Sequence, residues 1–144
     1  MVPKVKEKIT VAVIGYGSQG RAVALNLRDS GYKVVLGLKS KSKSRAAAHK
    51  DKIRDITTVS GAVNKADIIC FAFPDNLHSR VFEKDIRRFL KPGMTLWFLH
   101  GLSVHFGLVK PPAEVDVILL APHAPGEAVR EKYLADRSVS AFYA

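Results

Sequence analysis

The residues whose types and spacing could do chemistry fall in four short stretches: GYGSQG at 15–20, KSKSKS at 39–44, PD at 74–75 and HG at 100–101. Gly15, Gly17 and Gly20 form a G-x-G-x-x-G run. Such a run is weak evidence alone, but this one leaves an apolar stretch ending at Ile14 and enters a segment of helical period. In that setting Gly15 permits a tight turn, Gly17 lets the backbone approach a pyrophosphate, and Gly20 allows the helix to pack closely on the strand. Amide groups at the helix start then face the anion. The second stretch bears on which dinucleotide is bound. A site that prefers NAD places Asp or Glu about 20 residues beyond the first glycine, to accept from the ribose hydroxyls. This chain has Val35, Leu36, Gly37, Leu38 and Lys39 there, followed by Ser40, Lys41, Ser42, Lys43 and Ser44. With no acid to repel a phosphate and several cations and hydroxyls to receive one, the loop suits the 2′-phosphate of NADP.

These stretches need strands and helices to hold them. ITVAVIG, YKVVLGL, ADIICFAF, MTLWFLHG and VDVILLA read as short apolar strands bounded by turn signals. After Gly20, the apolar Ala22, Val23, Leu25 and Leu27 precede Ser30-Gly31, as on one face of a helix with a glycine cap. Between Asn76 and Leu90, Leu77, Val81, Phe82, Ile86 and Phe89 recur at helical steps, and Lys91-Pro92-Gly93 ends the segment. TTVSGAVNKAD predicts a shorter helix capped by Thr57 or Thr58. Strands that alternate with helices and are apolar nearly throughout predict a doubly wound α/β domain, a mostly parallel sheet with helices on both faces. SVSAFYA at 138–144 reads as a further, terminal strand that is either an edge or the cut end of a longer chain.

The 144 residues suit one domain, read as a single dinucleotide-binding unit over 1–144. Lysines crowd residues 1–8, which read as a basic, flexible start. No apolar run is long enough to span a bilayer and no secretory signal is visible, so the expectation is a cytoplasmic protein with no membrane partner. The single cysteine, Cys70, excludes a disulfide framework and reads as a core side chain. A formal charge of +10 could serve nucleic acid, but recognition helices and exposed aromatic platforms are lacking. Phe71, Phe73, Trp97 and Phe98 fall in strands expected to be buried.

Taken together, GYGSQG with ALNLRDSG, GLKSKSKS, FAFPDN, HG with HFG five residues later, and APHAPGEAVREKY resemble the amino-terminal domain of ketol-acid reductoisomerase, from about Ile9 to Ala144. The resemblance implies a Rossmann-type fold and a role in branched-chain amino-acid synthesis. There a magnesium-dependent alkyl migration in an acetolactate-like acid is followed by reduction with NADPH. It implies that Gly15, Gly17, Ser18, Gln19 and Gly20 hold the pyrophosphate, and that Lys39, Ser42 and Ser44 hold the 2′-phosphate. Lys39 stands where the family often has arginine. Pro74 and Asp75 would lie beside the cofactor, and His100 would be the active-site histidine. His105 would shape its loop.

Two departures from the family pattern fall on the catalytic rim. His123 replaces a lysine in APHAPG, and His78 stands where PDE is followed two residues later by glutamine. The family's magnesium ligands lie in a carboxyl-terminal domain that begins beyond this chain. Of the same-face acid pairs here, Asp51 with Asp55 lies at a helix-to-strand transition, and Glu127 with Glu131 reads as an exposed helix face near Arg130 and Lys132 rather than a metal site. The expectation is therefore a chain that binds NADP(H), has no metal site of its own, and does not isomerise acetolactate alone. Its partner would be the carboxyl-terminal domain or a second copy. The alternative is a stand-alone NADP(H)-binding module with a sensing or interaction role.

Overall fold

The structure is a computed structural model and describes residues 9–144; the basic start at 1–8 lies outside the described residues. Alternating strands and helices run in the order β1 (Thr10–Ile14), α1 (Ser18–Asp29), β2 (Lys33–Gly37), α2 (Ser44–Lys50), β3 (Asp55–Thr57), α3 (Val59–Val63) and β4 (Ile68–Phe71). A helical stretch that includes α4 (His78–Val81) leads to β5 (Thr95–Phe98), α5 (Leu102–His105), β6 (Asp116–Pro122), α6 (Gly126–Leu134) and β7 (Ala141–Tyr143). The strands form one seven-stranded sheet in the order β3-β2-β1-β4-β5-β6-β7. All neighbours are parallel except β6 and β7. This is the doubly wound Rossmann-type arrangement. The strand order reverses between β1 and β4, which opens a crevice at their carboxyl ends.

Strand periodicity explains why the central strands are apolar throughout. Ala12 and Ile14 join Phe71, Phe82, Ile86 and Phe98 in one core. Val11 and Val13 join Val23, Leu25, Leu36 and Cys70 in the other. Successive side chains on a strand point to opposite faces, so a sheet covered on both sides needs apolar residues at every position. Phe71 and Phe98 are fully buried, whereas Phe73, just beyond β4, and Trp97 are half-buried.

The sheet is unevenly covered. Val117, Ile118 and Leu120 of β6 and Phe142 and Tyr143 of β7 remain exposed although their backbones are paired. β7 is the terminal strand expected at 138–144, and it pairs antiparallel at the sheet edge.

The segment from 75 to 89 is helical as its periodicity predicts, but it is not one regular helix. A 3₁₀ turn (Asp75–Leu77) precedes α4, and a π-helical turn (Phe82–Ile86) and another 3₁₀ turn (Arg87–Phe89) follow it. The wider π turn lets Val81, Phe82 and Ile86 all reach the core. Thr58 caps α3, its hydroxyl accepting from the Gly61 amide at 3.1 Å.

Candidate dinucleotide site

The glycine turn between β1 and α1 has a separate cause at each glycine. Gly15 has φ +99°, and a Cβ there would lie 2.4 Å from the Ala72 carbonyl oxygen. Only glycine fits both the left-handed backbone and that contact. A Cβ on Gly20 would come within 2.7 Å of the Gly15 carbonyl oxygen, so this glycine lets α1 pack against the turn. Gly17 differs. Nothing lies within 4 Å of where its Cβ would be, so its backbone borders open space. That is the side from which a ligand can approach the first amides of α1.

Between these two glycines, Tyr16 is buried, and its hydroxyl donates to the Asp51 carboxylate at 2.9 Å. Arg21 donates to the same carboxylate from Nε at 2.6 Å and Nη2 at 2.8 Å. The Arg21 guanidinium holds the Asp51 carboxyl below its ordinary range, against the opposing effect of burial. Burial and Asp51 together push the Tyr16 phenol up. The turn is thus anchored to the end of α2, and Asp51 is engaged with these cationic and phenolic partners. Asp55 forms its own ion pair, with Lys65 at 2.9 Å. Among the described residues no three His, Cys, Asp or Glu side chains converge on one point.

A cleft of about 250 Å³ opens beside Gly15 and Gly17 and is also lined by Lys39, Ser42, Ser44 and Pro74. The glycine turn, the loop after β2 and the exit from β4 therefore share one hollow. Ser18 is exposed at the start of α1. The Gln19 side chain turns away, its Nε2 donating to the Ala124 carbonyl at 2.8 Å, while its Oε1 is buried without a partner. Gln19 therefore ties α1 to the chain entering α6. A larger hollow, about 590 Å³, lies at the opposite end of the sheet, where β2 and β3 begin at Lys33 and Asp55. It touches none of the four stretches. Ligands of doubly wound sheets bind at the carboxyl ends, so the smaller cleft is the relevant one.

Along the rim, Asp75 lies between two histidines. Its Oδ2 is 3.6 Å from Nδ1 of the exposed His100, and its Oδ1 is 3.5 Å from Nδ1 of His78. His78 is only 2 % exposed. Its Nε2 is 2.9 Å from the Phe73 carbonyl oxygen and its Nδ1 is 2.8 Å from Ser103 Oγ. A carbonyl only accepts, so Nε2 carries the proton and Nδ1 accepts from the serine. Burial is the main cause that holds the His78 pKa below its ordinary value, and it outweighs the opposing effects of Phe73 and Asp75. His78 thus joins the loop that carries Pro74 and Asp75 to the helix that follows His100. Its spacing from Val81 and Phe82 places it on the apolar face of that segment, which is the signal in the sequence for a core histidine.

Asp75 and His100 lie beyond the cleft lining, and so does every other histidine. His105 is exposed and its ring meets Phe106 edge-on. His123 packs edge-on against Phe142 of β7, and Ser140 Oγ lies 3.3 Å from its Nδ1.

A doubly wound sheet, a glycine turn at the point of strand reversal and a hydroxyl- and lysine-bearing loop beside it define the class of Rossmann-type dinucleotide-binding domains. Within that class the chain belongs to the family described as acetohydroxy acid isomeroreductase, NADPH-binding domain, whose family model matches residues 5–144. It is 51% identical over 135 residues to the ketol-acid reductoisomerase (NADP(+)) of Pyrobaculum aerophilum, an alignment that covers 94% of this chain and 41% of that protein. The same enzyme of Petrotoga mobilis is 49% identical, over 93% of this chain and 40% of its own length. Among solved structures, the NADH-preferring ketol-acid reductoisomerase from an uncultured archaeon superposes with a TM-score of 0.90 at 34% identity. It matches 98% of this chain and 44% of its own. The chain thus spans about two fifths of the length of the curated relatives it matches. No helix among the described residues is long and apolar enough to cross a membrane.

Proposed function

We propose that this chain is the NADPH-binding part of a ketol-acid reductoisomerase and binds NADPH in the cleft at the β1/β4 reversal. The observation that carries this reading is the shared lining of that cleft: the open backbone at Gly17 on one side, and Lys39, Ser42 and Ser44 on the other. Backbone amides from Gly17 to Gly20 would receive the pyrophosphate. Lys39, Ser42 and Ser44 would receive the 2′-phosphate by charge-assisted hydrogen bonds. Pro74 and Asp75 would border the nicotinamide end. Family membership does not settle the choice of nucleotide, since the NADH-preferring structural relative lies in the same family. The loop residues of this chain must therefore make it.

In the complete enzyme, bound NADPH supplies the hydride. His100, exposed just beyond β5, would meet a substrate oxygen there. Its Nδ1 lies 3.4 Å from the Leu102 amide, an arrangement that leaves Nε2–H free to donate outward. Magnesium would be held elsewhere in such an enzyme. The exposed apolar strips of β6 and β7 suit burial against the rest of that protein or a second copy.

Calorimetric titration with NADPH and NADH tests this reading. The wild-type chain is expected to prefer NADPH. Changing Lys39, Ser42 and Ser44 together to alanine should weaken NADPH by about 100-fold and NADH by less than about threefold. Equal losses for both nucleotides, or no binding by the wild type, would remove the assignment of the phosphate loop.

A further inference from the structure

Of the basic residues in the run at 39–45, Arg45 is the one whose bonds face inward. It lies in the first turn of α2 and is half-buried. Its Nε donates to the Lys39 carbonyl at 3.0 Å, and its Nη2 donates to the carbonyls of Leu38 at 3.1 Å and Thr57 at 3.0 Å. Two of those carbonyls already accept a backbone bond: Lys39 from the Ser42 amide, and Thr57 from the Leu38 amide, both at 3.0 Å. The guanidinium therefore fills second lone pairs at the carboxyl ends of β2 and β3 and fastens both to the start of α2. The Arg45 amide also closes a turn onto the Ser42 carbonyl at 3.2 Å, and Ser42 Oγ accepts from the Ser44 amide at 3.3 Å. The 39–44 loop is thus held by bonds within the chain itself, and Arg45 is absent from the cleft lining that Lys39, Ser42 and Ser44 share.

We infer that Arg45 is a specificity-determining positioning residue: its three bonds to backbone carbonyls preshape the 39–44 loop so that Lys39, Ser42 and Ser44 meet the 2′-phosphate together. This rests on the proposed NADPH site. A preshaped loop loses less conformational freedom on binding, and the benefit falls only on a nucleotide that carries the phosphate. Lysine keeps the charge but lacks the planar fork, so it cannot serve three carbonyls at once.

The test uses the intact chain and the variants Arg45→Lys and Arg45→Ala. NADPH and NADH affinities are measured by calorimetry, and amide hydrogen exchange at Ser42, Ser44 and Arg45 is measured by NMR without nucleotide. Both variants should weaken NADPH about tenfold and leave NADH within about twofold. In both, the three amides should exchange faster in the nucleotide-free protein. Arg45→Lys binding NADPH like wild type, with unchanged exchange, overturns the inference. So does a loss of NADPH affinity in Arg45→Ala with no change in exchange, since that marks a direct phosphate contact. A wild-type chain that binds neither nucleotide overturns the NADPH site itself. In that event Arg45 still fails or passes as the loop's fastening by the exchange comparison alone.

Discussion

Changing Gly126 to alanine is expected to lower the free energy of unfolding by about 3 kcal/mol, at the upper end of what overpacking costs. A Cβ on Gly126 would lie 2.1 Å from the Ser18 carbonyl oxygen and 2.6 Å from the Gln19 amide nitrogen. Both are backbone atoms, so no side-chain rotation relieves the contact and α6 must shift away from α1. Several other links between these helices would loosen with it. Arg130 donates to Asn26 Oδ1 at 2.8 Å and forms an ion pair with Asp29 at 2.5 Å, and Ser30 Oγ lies 2.8 Å from the Tyr133 hydroxyl. Ser18 and Gln19 open the helix that faces the proposed pyrophosphate, so nucleotide binding should weaken along with stability. Chemical denaturation with and without NADPH checks both effects. A variant as stable as wild type would show that α6 does not pack on α1 at this distance.

The fold was readable because the central strands are buried on both faces and carry unbroken apolar runs, while α1 announces itself by a glycine entry and a Ser-Gly exit. What escaped has local causes. β3 is three half-buried residues at the sheet edge, too short to show a period. The π turn at Phe82–Ile86 escaped because periodicity is read against 3.6 residues per turn, and the wider turn leaves the same residues apolar.

The glycine motif and the lysine-serine loop each stand out in the sequence because their residues are adjacent there, and the structure brings the two beside one cleft. The ties that position them were not. Asp51 holds Tyr16 from 35 residues away, Ala124 receives Gln19 from 105 residues away, and Gly126 is required by a helix start on the far side of the chain. Arg45 lay hidden in a basic run whose composition suggests solvent or phosphate, whereas its geometry is directed to carbonyls.

His78 is where a rim residue and a core residue coincide. Changing it to alanine should cost about 3 kcal/mol, since it opens a cavity among Phe71, Phe73 and Phe98 and leaves the Phe73 carbonyl and Ser103 without their partner. Glutamine has an amide that can donate to the carbonyl and accept from the serine. His78→Gln should therefore recover most of the loss, and the two variants must differ in their dependence on pH. Burial depresses the pKa of folded His78 below its ordinary 6.5, so the unfolded chain takes up a proton there before the folded chain does. The stabilisation is complete above about pH 6.5 and declines as the pH falls from there toward the lower folded value. Asp51 and Asp29 also have depressed values, but their contributions persist down to their ordinary 3.8 and decline only below it, so the two windows are separate. Denaturation between pH 7.5 and pH 4.5, on the order of a three-unit span about the histidine range, should show wild-type stability falling with acid and His78→Gln losing that slope. Equal slopes in the two proteins would mean that His78 is hydrated and free to titrate, and that Ser103 and the Phe73 carbonyl do not hold it neutral between the loops of Asp75 and His100.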